Sequence, residues 1–400
     1  MTLLDRFLKY VSFDTQSDPD STTYPSTLKQ HKLADYLVKE LLDLGVDNAF
    51  KDEFAYVYGI IPGKINKKIG LIAHMDTATE MSGANIKPNI IENYDGKDIK
   101  LASGLDILVK DFPFLTKFKG NTLVTTSGDT LLGADDKAGI AVIMTLIEKR
   151  LVSKNDFPTI YVCFTPDEEI GGGTDHFNVK YFDVDFAYTL DGSSIDTINF
   201  ENFNACNAIV TIEGNSIHPG EAYQRLINSQ EVAVEFHNLL PHEMRPEYTK
   251  DYEGFFHLTD MVGEVQKTTL KYIIRDHDLE LFKQKKALIL SVRDDLNKKY
   301  KNKIVEVELK DQYFNMAELI KPHPEIIEIP RKALKDYNIE MKCLPIRGGT
   351  DGAMLSFKGI LCPNLGTGSY NHHGAKELAN ITEMNQFVDI LITMLTKYIK

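Results

Sequence analysis

Apolar residues along this chain follow two patterns. Near the start they recur at helical spacing, over residues 3–12 and again over 27–44. A Ser/Asp/Thr/Pro-rich stretch from Gln16 to Ser26 separates them and reads as a loop. Later come short apolar runs, Ala55–Ile61, Ile69–Ala73, Thr159–Phe164 and Phe186–Leu190. Runs of that kind with little polar alternation predict strands buried on both faces, as in a parallel sheet covered by helices. Residues 82–120 read as loops with short strands. Leu132–Gly139 reads as a tight loop that opens a buried helix, because Ile140–Ile147 behind it is an unbroken apolar run.

The pattern changes over residues 205–315. There it reads strand (Ala208–Glu213), helix (Glu221–Leu240), strand (Phe255–Val265), strand (Thr268–Arg275), helix (Asp278–Tyr300), strand (Ile304–Lys310). That order is a βαββαβ unit, a common small α+β sandwich. The remainder resumes helix–strand alternation. A chain of 400 residues exceeds one ordinary core. The expected fold is therefore α/β: a catalytic domain (1–204 and 316–400) with a mostly parallel central sheet flanked by helices, and an inserted βαββαβ domain (205–315).

Composition narrows the partners. A net charge of −13 argues against nucleic acid and anionic membranes. No apolar run reaches the ~18 residues a membrane helix needs. The N-terminal Met1–Phe7 segment is amphipathic and carries no secretory apolar region. The four cysteines are scattered without paired spacing, as in a protein with reduced thiols, and a cytoplasmic location is expected.

The chemistry lies where the apolar runs stop. Ile69–Ala73 ends in His74-Met75-Asp76, whose first and last side chains share a strand face. That spacing lets a carboxylate hold one imidazole nitrogen while the other binds a metal. Thr159–Phe164 leads to Asp167-Glu168-Glu169 and then three glycines, and Phe186–Leu190 ends in Asp191-Gly192. Asp135-Asp136 stands at the start of a helix, whose positive end suits carboxylates. Each motif alone has a plain structural reading, a capped helix or a solvated turn. Four strand–loop junctions that each deliver an acid or a histidine point instead to a shared site, since open α/β sheets place their chemistry at strand C-termini. The candidate ligands are His74, Asp135, Glu169, Asp191 and His373, with Glu168 left over. Two metals about 3.5–4 Å apart could share one bridging carboxylate. Imidazole with carboxylate suits zinc, and also manganese or cobalt. No Gly-x-Ser-x-Gly elbow, P-loop or dinucleotide fingerprint is present.

His74-Met75-Asp76-Thr77, Gly133-Ala134-Asp135-Asp136-Lys137-Ala138-Gly139 and Thr165-Pro166-Asp167-Glu168-Glu169 together resemble the di-zinc aminopeptidase and carboxypeptidase family that includes the aminoacylases. His218-Pro219-Gly220, Tyr272–Asp276, Pro345–Gly352 and Tyr370–Gly374 extend the likeness, in order, toward its tripeptide aminopeptidases. The resemblance implies two Zn2+ per subunit, with Asp135 bridging. His74 and Asp191 would complete one metal, Glu169 and His373 the other. Glu168 would be the general base and Asp76 the residue that holds His74. His218 would stabilise the oxyanion, and Arg275 and Arg347 would bind the substrate carboxylate. Spacing alone separates neither Glu168 from Glu169 nor Asp135 from Asp136. The resemblance also implies a cis peptide between Asp135 and Asp136. His372 adds an ambiguity, resolved toward His373 because it precedes Gly374.

The expected activity is release of the N-terminal residue of a tripeptide by a metal-bridging hydroxide. The alternative on the same site is a dipeptidase or N-acyl amino acid hydrolase. The resemblance makes the inserted domain a lid and dimerisation surface; the partners expected are a small peptide substrate and, since in related enzymes the histidine can come from a partner subunit, a second copy paired through that domain.

Overall fold

The computed structural model describes residues 1–152 and 155–400. They divide into two units, Met1–Phe200 with Glu318–Leu344 and Thr350–Lys400, and Glu201–Ala317 with Pro345–Gly349. Among the described residues no helix is long and apolar enough to cross a membrane.

The first unit is built on an eight-stranded sheet. At its centre Ile65–His74 runs parallel to Pro158–Thr165 on one side and to Phe186–Gly192 on the other. Asn364–Gly366 continues the parallel set beside Phe186–Gly192. Antiparallel strands lie toward the edges, Val57–Ile61 on one side and Thr197–Asn199 on the other. The C-terminal halves of the three central strands are almost wholly buried, as runs without polar alternation require.

The helix Ala134–Val152 packs against Ile65–His74 and against the helices Leu3–Val11 and Ile381–Thr393. It is buried nearly all round from Ala134 to Ile147, which explains why its apolar run shows no stripe. Leu3–Val11 opens with a capping box between Thr2 and Asp5. Its Arg6 is buried, and its guanidinium donates to Glu40 and Glu148 at 2.7 Å each. A smaller antiparallel sheet, Ser369–Tyr370, Leu378–Asn380, Leu123–Thr125 and Asn89–Ile91, lies in the same unit.

The second unit has strand order Phe255–Gly263, Lys267–Asp276, Asn204–Glu213, Val305–Tyr313, all antiparallel. Burial alternates along Asn204–Glu213, one face apolar and one solvated. Ser229–Leu239 and Leu279–Lys299 cover the apolar face. The first of these helices is shorter than the apolar periodicity predicts. It begins at Ser229, not Glu221, because the Asn228 side chain caps it by accepting from Gln230 N–H. Residues Pro219–Glu221 form a single 3₁₀ turn instead.

Candidate metal centre

Register places the site. His74 pairs with Thr165 in the parallel ladder, so both central strands end at the same level. Asp191 is carried near the end of Phe186–Gly192, beside the same strand. Asp135 and Asp136 begin the buried helix with non-helical backbone angles, and the peptide between them is cis. Glu168 and Glu169 sit on a one-turn 3₁₀ helix, Glu168–Ile170. Left-handed residues bracket that turn, Asp167 at φ 56° and Gly171 at φ 77°. His372 and His373 lie in the loop after Ser369–Tyr370.

These side chains converge. His74 Nε2 lies 3.0 Å from Asp135 Oδ1 and 3.5 Å from Asp191 Oδ1. His373 Nε2 lies 3.0 Å from Glu169 Oε2 and 3.4 Å from Asp135 Oδ2. The Asp135 carboxylate thus faces His74 with Oδ1 and His373 with Oδ2. His74 Nδ1 is 3.3 Å from Asp76 Oδ1. Asp76, fully buried, also accepts the backbone N–H groups of Glu168 and Glu169 at 3.0 and 3.1 Å. One carboxylate therefore faces the histidine and anchors the turn that carries both glutamates.

Asp136 faces elsewhere. Its oxygens accept from Gly139 N at 3.1 Å and from His74 N at 3.4 Å, so it braces the helix start against the strand end. It too comes within ligand reach of His74 and Asp191, but both its oxygens already serve backbone donors. His372 Nδ1 approaches Asp135 Oδ2 at 3.3 Å while its Nε2 meets Ser369 Oγ at 2.9 Å. Of the two neighbouring histidines, His373 is the one that also meets Glu169.

Charge balance shows what the donor set lacks. Burial, with Asp191 next, pushes the Glu168 carboxyl well up. Burial and the Asp135 charge push Glu169 up to about 7. Asp135 stays well below the ordinary range: burial opposes its charge, but His372, His373 and His74 outweigh that. His74 is raised despite its burial, because Asp135, Asp191 and Asp76 all face it. Glu169 Oε1 is buried without a hydrogen-bond partner. Crowded carboxylates, three imidazoles that share one of them, and an orphaned buried oxygen fit divalent cations better than any internal pairing. His74, Asp135 and Glu169 bring one ligand atom each within 4.8 Å of one another.

The remaining sequence candidates lie in the second unit. His218 is exposed in its loop, and its Nδ1 accepts from Gly220 N–H at 3.1 Å. Arg275 donates through Nη1 to the carbonyls of Cys206 and Ile274, and its guanidinium lies over the Tyr313 ring. Arg347 donates to the carbonyls of Asp251 and Glu253 and to Thr249, between the rings of Phe203 and Phe255. Two buried acids escaped the sequence reading. Asp351 accepts from Thr165 Oγ1 at 2.7 Å, and Glu377 takes three backbone N–H groups from the loop before Asp135. Asp351 belongs to the glycine-rich Pro345–Gly352 motif, whereas Glu377 carries no local signal; both act on residues far away in sequence.

Comparison with known proteins follows the same line. The profile of peptidase family M20/M25/M40 matches residues 131–397. Peptidase T of Clostridium acetobutylicum is 46% identical over 404 aligned residues, covering 99% of this chain and 98% of that one. Among solved structures, an aminopeptidase PepT from Bacillus cereus aligns over 100% of this chain and 98% of its own, with TM-score 0.78 and 18% identity. A tripeptidase from Staphylococcus aureus aligns over 99% and 97%, with TM-score 0.78 and 20% identity. The two structures share the fold.

Proposed function

The chain belongs to peptidase family M20/M25/M40, and from that premise we propose that it is a metal-dependent aminopeptidase releasing the N-terminal residue of tripeptides. The observation that carries the reading is the Asp135 carboxylate held between the imidazoles of His74 and His373, with Glu168 and Glu169 on a turn tied to Asp76. His74, Asp135 and Asp191 would hold one cation, and Asp135, Glu169 and His373 the other. Zn2+ is the ion proposed, with Mn2+ or Co2+ compatible with the same donors. Bound there, the cations would supply Lewis acidity, easing loss of a proton from water and polarising the scissile carbonyl.

The chain's own groups supply the rest. Glu168 is assigned the general base, which would take a proton and later return it to the leaving amine. Asp76 orients His74 and the glutamate turn together. His218 is assigned to the developing oxyanion. Arg275 and Arg347 are assigned the peptide carboxylate, which a planar guanidinium binds with paired hydrogen bonds. Both already serve backbone carbonyls, Arg275 those of Cys206 and Ile274 and Arg347 those of Asp251 and Glu253. A two-fold dimer through the second unit is part of the same reading, as is a cytoplasmic location.

The test is a three-substrate assay with metal analysis: Ala-Ala-Ala, its N-acetylated form and Ala-Ala. Turnover of the free tripeptide above the other two, lost on chelation and restored by metal, is expected. Preference for the acetylated peptide would replace the reading with N-acyl hydrolysis, and preference for Ala-Ala with a dipeptidase.

A further inference from the structure

The loop that ends at Asp135 has backbone donors that no helix or strand satisfies. Leu132 N and Gly133 N donate to Glu377 Oε2 at 2.6 and 2.9 Å, and Asp135 N donates to Glu377 Oε1 at 3.0 Å. Glu377 is 1% exposed. It closes the loop that carries His372 and His373, and the next residue, Leu378, pairs with Thr125 in the small antiparallel sheet. One carboxylate thus ties the loop bearing the histidines to the loop bearing Asp135.

The choice of side chain is informative. Three donors arriving on two oxygens suit a carboxylate, which accepts on both and donates on neither. Hydrogen bonds to an ionised acceptor are about twice as strong as neutral ones. Yet a buried anion beside Asp135 adds repulsion to a site already crowded with acids, so loop closure alone would favour a neutral acceptor. Lys137 lies against the same loop as a buried cation: its Nζ donates to Phe13 O at 2.9 Å, and a Cβ added at Gly133 would sit 3.5 Å from it. Both Glu377 oxygens are spent on the backbone, so it is no ligand itself.

We propose that Glu377 is a positioning residue of the metal centre. By holding Asp135 N–H and the two residues that close its loop, it sets the direction in which the Asp135 carboxylate faces His74 and His373, and it couples the two ligand loops. This rests on the assignment of Asp135 to the metals.

The experiment uses metal-free full-length protein titrated with Zn2+ by calorimetry and with Co2+ by visible absorption, comparing wild type, E377Q and E377A. In E377Q the amide oxygen can still serve Leu132 and Gly133, but an NH2 then confronts Asp135 N–H. The expected result is a folded E377Q that binds Zn2+ about 10–100-fold more weakly, with shifted Co2+ bands. E377A should be weaker still; if it does not fold, E377Q decides alone. Wild-type affinity and an unchanged Co2+ spectrum in folded E377Q would overturn the inference while leaving the metal site standing. Failure of the wild type to bind either ion would overturn the site assignment itself, and this inference with it.

Discussion

In the proposed function, two neighbouring glutamates separate chemistry from binding. Glu168→Gln removes a proton acceptor and little else, so activity should fall by about 10²–10⁴-fold while metal content holds. Metal analysis of the purified variant checks this, and loss of metal would mean that the roles of Glu168 and Glu169 are exchanged. The residues assigned to the substrate divide differently. Arg275→Ala should raise KM for tripeptides and flatten discrimination against C-terminally amidated ones. His218→Ala should mainly lower kcat, since its hydrogen bond would strengthen as charge develops. Unchanged kinetics in both folded variants would reduce these residues to structural roles. At this scale the sequence is readable where a functional group terminates an apolar strand: His74 and Asp191 are announced by the runs before them. Glu377 is not, because it serves donors some 240 positions earlier, and neither periodicity nor spacing encodes such a bond. The division of labour between Asp135 and Asp136 is equally hidden from spacing, since it depends on which one turns toward Gly139 N–H and which toward the imidazoles.

Among the elements, the buried helix Ala134–Val152 is the one whose position the site depends on. Gly139 in its first turns shows why. An alanine there would gain helix propensity worth up to about 1 kcal/mol. Its Cβ, however, would meet Leu190 O at 2.1 Å and Asp136 Oδ1 at 2.5 Å. The carbonyl belongs to the strand that carries Asp191, so helix and strand would have to part. Overpacking of this kind costs about 1–3 kcal/mol, which outweighs the propensity gain. Gly139→Ala should therefore lower the denaturation midpoint and weaken metal binding together, measured by chemical denaturation and by Zn2+ titration. The contrast with the second unit is instructive. Its strand and helix order is legible because half-buried strands alternate and amphipathic helices repeat, but the start of its first helix is set by one capping asparagine, Asn228. A cap outweighs several residues of favourable periodicity because it satisfies backbone donors that periodicity leaves open.

For the molecule as a whole, metal removal should cost stability as well as activity. A ligand that binds only the folded chain stabilises it by about 2.7 kcal/mol at a free concentration of about 100 Kd. Chelation should therefore lower Tm, and Zn2+ or Mn2+ should restore it, in calorimetric scans of the full chain. An unaffected Tm would argue against cations at the buried carboxylates. The dimer reading has its own measurement: sedimentation equilibrium should return twice the mass of the chain, and a monomer at assay concentration would remove the partner subunit from the mechanism.

The 3₁₀ turn Glu168–Ile170, bracketed by Asp167 and Gly171 in left-handed conformations, has a consequence for how this chain can vary. Two identical carboxylates stand side by side, and only their count from the end of the strand distinguishes them. A single deletion between Thr165 and Glu168 would preserve both glutamates, yet it would move Glu169 into the place of Glu168 and leave Ile170 in the place of Glu169. Insertions and deletions in this segment are therefore frame errors, and its length is a stricter signature of a working enzyme than its composition.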